Sequence, residues 1–107
     1  MKGMPNMGNM QGMMKQMQKM QKEMKTEQEN LEASFFEASD TNQLVKVKVN
    51  GRKEIQELLI EEDLVDPDDI DMLQDIVLAT INDALSQVDK ATEERMGRFT
   101  QGLNLPF

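Results

Sequence analysis

Lys15, Lys19, Lys22 and Lys25 stand close together near the start of this chain, with Glu23 the only acid among them. The first three recur at i, i+4 and i+7, so on a helix they share one stripe, with Lys25 on its flank. A row of ammonium groups at that spacing suits phosphates, which it would neutralise with release of counterions. No aromatic residue stands among the lysines to stack on a base, so the contact would be to backbone and shape rather than to sequence. The same pattern also describes a solvated helix face opposite a buried seam. Periodicity alone does not separate the two readings.

Other chemistry finds little to work with. The chain has no His and no Cys, which removes the commonest general base, the commonest thiol nucleophile and a conventional zinc site. No glycine-rich phosphate loop of the G-x-G or Walker type occurs. The run Asp66-Pro67-Asp68-Asp69-Ile70-Asp71 invites a calcium loop, but such a loop would need an oxygen ligand at Ile70, glycine at Asp71 and glutamate at Val77. It fails at all three, and helix capping accounts for the acids better. These absences point away from an enzyme and predict no cofactor, no resident metal and no small-molecule substrate.

The methionines admit three readings. Thioethers at Met4, Met7, Met10 and Met13 suit Cu(I). They also suit an adaptable peptide-binding surface. The third reading is a helix seam: Met10, Met13, Met17, Met20, Met24 and Leu31 follow the alternating three-and-four spacing of a heptad, which only Glu27 interrupts. The heptad spacing favours the seam.

Charge is unevenly spread. The 107 residues carry 12 bases and 20 acids, a net of −8, yet residues 1–26 are net positive because Lys2 and the four lysines face Glu23 alone. Between residues 57 and 75 nine acids occur with no base. The result is a basic arm on an acidic body. Only 38% of residues are hydrophobic, with no Trp or Tyr, so a single small core is expected, of the kind that oligomerisation completes. No apolar run is long enough for a membrane span, and polar residues break the N-terminus too often for a signal peptide.

The elements that must position these residues follow from periodicity. Residues 1–9, rich in Gly, Pro and Asn, read as a disordered tail, and a helix is expected over about 10–32. A short strand follows at about 33–39. Val45, Val47 and Val49 alternate with Lys46 and Lys48 in a second strand at about 44–50. Asn50-Gly51 tolerates the positive φ of a tight turn, and a third strand returns at about 54–60. A two-residue turn would put Arg52 opposite Val49. A four-residue loop, pairing Val45 with Leu58 and Val47 with Gln56, fits better, and a three-residue loop with a bulge, pairing Val47 with Ile55, remains open. Asp66 or Asp68 is expected to cap a second helix over about 68–95, with Pro67 in its first turn. Ile70, Leu73, Ile76, Val77, Ile81, Ala84, Leu85, Val88 and Ala91 give that helix a broad apolar face. Residues 97–107 read as a frayed tail after a single domain at 10–96. The fold class is α+β, a protomer of order α-β-β-β-α with a three-stranded antiparallel sheet and two long helices.

Several stretches together resemble one family. Met10-Gln11-Gly12-Met13-Met14-Lys15-Gln16-Met17-Gln18-Lys19-Met20-Gln21, then Val49-Asn50-Gly51, Asp66-Pro67-Asp68-Asp69-Ile70-Asp71-Met72-Leu73-Gln74-Asp75, Asn82-Asp83-Ala84-Leu85, Met96-Gly97 and Gly102-Leu103-Asn104 are similar, in that order, to the YbaB/EbfC family of nucleoid-associated proteins. The resemblance implies a homodimer whose long helices project like tweezers. It also implies a bacterial, cytoplasmic protein that binds double-stranded DNA in the nucleoid with little sequence preference. Carried onto this chain, the DNA-binding residues are Lys15, Lys19, Lys22 and Lys25, with Arg95 and Arg98 as further candidates. One departure lies in Asp40-Thr41-Asn42-Gln43, where relatives often carry glycines. The rival class is a protein-interaction module that uses the Met-rich helix or a sheet edge, with DNA contact incidental.

Overall fold

The computed structural model describes residues 4–103, with side chains described from 10 to 99. Helix α1 (Met4–Ala33) leads into strands β1 (Phe35–Ser39), β2 (Val45–Asn50) and β3 (Ile55–Ile60). A single 3-10 turn at Glu62–Leu64 then precedes helix α2 (Ile70–Leu103). The strands form one antiparallel sheet in the order β1-β2-β3. The α-β-β-β-α order expected from periodicity is therefore the order found.

The core lies where α2 crosses one face of the sheet. Val45, Val47 and Val49 are essentially dry, joined by Ala38, Leu64, Ala84 and Val88, with Leu73, Ile76, Val77, Ile81 and Leu85 packed around them. Each buried valine is worth about 1.5–3 kcal/mol of hydrophobic stabilisation. Thr80 is buried among apolar neighbours, but its hydroxyl donates to the Ile76 carbonyl at 2.7 Å, so no polar atom is orphaned there. Leu64, absent from the apolar faces read in the sequence, reaches the core because the 3-10 turn aims it inward.

The β2–β3 pairing differs from both registers expected. Val45 faces Ile60, Val47 faces Leu58 and Val49 faces Ile55, with Gln56 left over as a bulge. Strand parity explains the bulge. Ile55 is odd-numbered and Leu58 and Ile60 even, so only an inserted residue puts all three on the valine side. The loop has three residues, closed by the Asn50 N–H to the Glu54 carbonyl at 3.0 Å. Its positive φ falls on Lys53 (64°), not on Gly51.

The two hairpins share one recipe. In each, an Asx side chain accepts backbone N–H groups and the residue three positions later takes a left-handed conformation. Asn50 Oδ1 accepts from Arg52 (2.9 Å) and Glu54 (3.0 Å), with Lys53 left-handed. Asp40 accepts from Asn42, Leu44 and Val45, the last at 2.8 Å, with Gln43 left-handed at φ 58°. A glycine at position 43 would meet that backbone demand without a Cβ. Hydrogen bonds led by that from Val45 hold the Asp40 carboxyl below the usual aspartate range.

Gly51 serves a different purpose. A Cβ there would lie 1.9 Å from the Leu31 carbonyl oxygen and 2.9 Å from Glu32 Cα, so the hairpin presses directly on the last turn of α1. The Gly51 N–H also donates to the Ser34 carbonyl at 3.1 Å. This contact anchors α1 to the sheet.

The helix limits extend the expected ones. α1 is helical from Met4 rather than from about residue 10, since Pro5 occupies a first-turn position where its missing N–H costs nothing. Residues 1–3 and 104–107 of the two expected tails lie outside the described residues. α2 begins at Ile70, capped by Asp69, whose Oδ1 accepts from Met72 at 3.2 Å. Asp66, Pro67 and Asp68 instead form the preceding turn, with Asp66 Oδ1 accepting from Asp68 at 2.9 Å. α2 also continues through Gly97, because Phe99 is buried where the helix runs beside α1.

These turns and the Asp40 carboxyl give a packing prediction and an acid prediction. Gly51→Ala should cost about 3 kcal/mol or more in denaturant unfolding, because backbone must shift. Gly97→Ala, with open space at its Cβ position, should stabilise by about 0.5–1 kcal/mol. The second concerns acid. Because the Asp40 pKa is depressed, its contribution is present above the ordinary aspartate value of about 3.9 and is lost as pH falls below it. Asp40→Ala should therefore melt below the wild type at pH 7, and the gap should narrow in thermal melts taken at successively lower pH.

Candidate nucleic-acid interface

α1 carries the lysine stripe outward. Lys15, Lys19, Lys22 and Lys25 are all exposed, on a length of helix spanning about 15 Å at 1.5 Å per residue. Among the described residues none of the ion pairs engages them. Glu23 stands among them, but the acidic run at 57–75 is separated from them in space. α1 meets the sheet at the β2–β3 turn, whereas the acidic run that follows β3 lies at the sheet's opposite end, where α2 begins. In a molecule 84 Å long, the basic and acidic surfaces sit towards opposite ends.

The arginines are placed differently. Beyond the sheet α2 runs antiparallel to α1, and Glu27 lies between the two. Its carboxylate is 3.8 Å from Arg95 Nε and 4.0 Å from the Arg98 guanidinium. Arg95 also donates to Ser34 Oγ at 3.2 Å, and Arg98 lies over the Phe99 ring at 4.5 Å. This arrangement accounts for the break in the heptad: Glu27 is the seam residue that meets two arginines. The structure thus groups the four lysines on one free stripe and gives the arginines internal partners on the seam side.

The seam itself is only half filled. Leu31 is buried and Met20 and Met24 are half-buried, while Met10, Met13, Met14 and Met17 remain 54–62% exposed. The sheet face away from α2 holds an open groove of about 420 Å³ lined by Glu37, Lys46, Lys48, Glu57 and Leu59 among others. Lys48 there stands in register with Glu37 on one side and Glu57 on the other, and its ammonium lies over Phe35 at 4.4 Å. Those charges balance, so the groove lacks the excess of cations that phosphates require. No helix among the described residues is long and apolar enough to cross a membrane.

Comparison with known proteins agrees with this architecture. The sequence profile of the YbaB/EbfC DNA-binding family matches residues 7–103. A nucleoid-associated protein of Exiguobacterium is 57% identical over 106 residues, covering 99% of this chain and 98% of its own. One from Oceanobacillus iheyensis is 54% identical, covering 92% of this chain and 95% of its own. An uncharacterized Helicobacter pylori protein of known crystal structure aligns with a TM-score of 0.60 at 22% identity, over 73% of this chain and 90% of that one, which reports on the fold.

Proposed function

Because this chain belongs to the YbaB/EbfC DNA-binding family, we propose that it binds duplex DNA with little sequence preference, through lysines on α1 of a tweezer-like homodimer in the bacterial nucleoid. The observation that carries the reading is the stripe of four exposed lysines free of the ion pairs found among the described residues, at the end of the molecule away from the acidic run at 57–75. Charge repulsion is screened out over about 10 Å at 0.1 M salt, so arms of this length hold phosphates beyond the reach of the body's repulsion. Relatives named as nucleoid-associated proteins support a cytoplasmic place on the nucleoid. Arg95 and Arg98 contribute less, since Glu27 already occupies them.

The homodimer is supported by what the protomer leaves bare. Ile55, Leu58 and Ile60 point to the α2 side of the sheet, yet are 50%, 42% and 39% exposed because α2 covers β1 and β2 instead. Leu59 on the opposite face is exposed as well. An apolar edge strand open on both faces invites pairing, and a second protomer is the cover that this reading assigns to it.

Light scattering after gel filtration should give about twice the 12.3 kDa chain mass. Leu58→Asp should shift that mass toward one chain and lower the melting temperature. A wild type that runs as a folded monomer contradicts the dimer. For DNA, two stripes offer up to eight phosphate contacts, of which about four to seven should engage at once. The log–log salt slope should lie near −4 to −6, so affinity should fall roughly 10³-fold between 50 and 200 mM salt. The triple variant Lys15→Glu, Lys19→Glu, Lys22→Glu should lose binding while keeping its mass and melting temperature. Unchanged binding by that variant would reduce the stripe to a solvated face.

A further inference from the structure

The exposed methionines are the largest feature that the DNA reading does not use. Arg95 and Arg98 stand level with Glu27, and α2 is described for only five residues beyond Arg98. At 1.5 Å per residue that reaches about 7.5 Å further along α1, to near Lys22. Met10, Met13, Met14 and Met17 lie beyond that point. They occupy i, i+3, i+4 and i+7 on the side that faces α2 lower down, so they continue the Met20–Met24–Leu31 seam with nothing among the described residues against it. An uncovered helix of this length is marginal in water, and a continuous exposed apolar stripe marks a contact surface.

We infer that this methionine face of α1 pairs antiparallel with the same face of a second copy of the chain. Three observations select that occupant. First, the stripe is self-complementary: run antiparallel, Met10 meets Met17 and Met13 meets Met14 of the other copy. Second, residues 10–21 carry no charge except Lys15 and Lys19, which lie on the far side of the helix. Gln11, Gln16, Gln18 and Gln21 fill the remaining turns, so no charge repulsion borders the contact. Third, an antiparallel run keeps Lys22 and Lys25 of the two arms apart, where a parallel run would set them level, and it opposes the two helix dipoles favourably.

Four methionines per arm bury far less than the roughly 1,200 Å² of a stable interface, so the pairing is weak and depends on local concentration. Its consequence rests on the proposed DNA reading. Paired arms carry their lysine stripes on opposite outer faces, about 20 Å apart for two helices packed side by side, so one pair presents two phosphate-binding faces. DNA that gathers the arms should promote pairing, and pairing should join two duplex segments.

The chain has no cysteine, which makes disulfide trapping clean. Met10→Cys and Met17→Cys proteins, mixed and mildly oxidised, should form the mixed 10–17 disulfide in preference to either like pair. Lys19→Cys, on the far face, should link at least tenfold less. Adding duplex DNA at low protein concentration should raise the mixed product. Mixed product no higher than the Lys19→Cys control overturns the pairing, as does dominance of the like pairs, which marks a parallel contact. Mixed product that forms at high protein concentration but is indifferent to DNA keeps the pairing and counts against the DNA reading alone. Melting temperatures equal to wild type establish that the variants are folded.

Discussion

Three valines on the middle strand are the surface that water does not reach, and the rest of the molecule is arranged by the need to cover them. Val45, Val47 and Val49 point one way, so a single amphipathic helix suffices on that side and α2 supplies it. The same demand shapes β3. Its apolar residues fall on both parities, and the Gln56 bulge is the means by which Ile55, Leu58 and Ile60 all reach the valine side. α2 is not broad enough to cover them as well. A protomer built this way is satisfied at its middle strand and bare at its edge.

The arm depends on a second contact at the other end of the sheet. The β2–β3 turn meets the last turn of α1 so closely that only glycine fits at position 51. Glu27 with Arg95 and Arg98 then ties α1 to the far part of α2. Surface ion pairs of this kind contribute little stability singly, but here they sit beside buried Leu31 and Phe99 and fix where the two helices part. α2 is described for only five residues beyond Arg98, and α1 extends well past that level to Met4. Its lysines stand away from an acidic body whose field would otherwise oppose phosphate binding, which is how a chain of net charge −8 presents a basic surface.

Much of this was legible in the residues. Alternation at 45–49 and the apolar face of 70–91 are strong signals because each serves one buried surface. The lysine stripe was readable for the same reason, being the complement of the Met seam. What periodicity missed depends on contacts between distant segments. Asn50-Gly51 reads as a pair that tolerates positive φ, whereas Gly51 is there to admit the Leu31 carbonyl and the positive φ falls on Lys53. A three-residue loop with a bulge is among the sequence's alternatives, but the pairings it carries there differ from those found, because the bulge lies inside β3 at Gln56. α2 is expected to end near residue 95, with Gly97 opening the tail, but it runs on to Leu103 with Phe99 buried, so packing outweighs a local helix-breaking tendency. Arg95 and Arg98 are weaker candidates in the sequence, and their partner Glu27, 68 and 71 residues away, is not visible to local pattern. The exposure of the upper Met seam likewise follows from where α2 stops alongside α1, which no local pattern encodes.

The central claim is that phosphates meet the lysine stripe of α1 rather than the sheet face or the acidic run. Backbone amide chemical shifts, recorded on the isotopically labelled protein as short duplex DNA of arbitrary sequence is added, test it most directly. Shifts should move at residues 15–25 and leave the acidic run at 57–75 and the open sheet face around Lys46 and Lys48 unchanged. Movement concentrated on the sheet face, with 15–25 undisturbed, would contradict it.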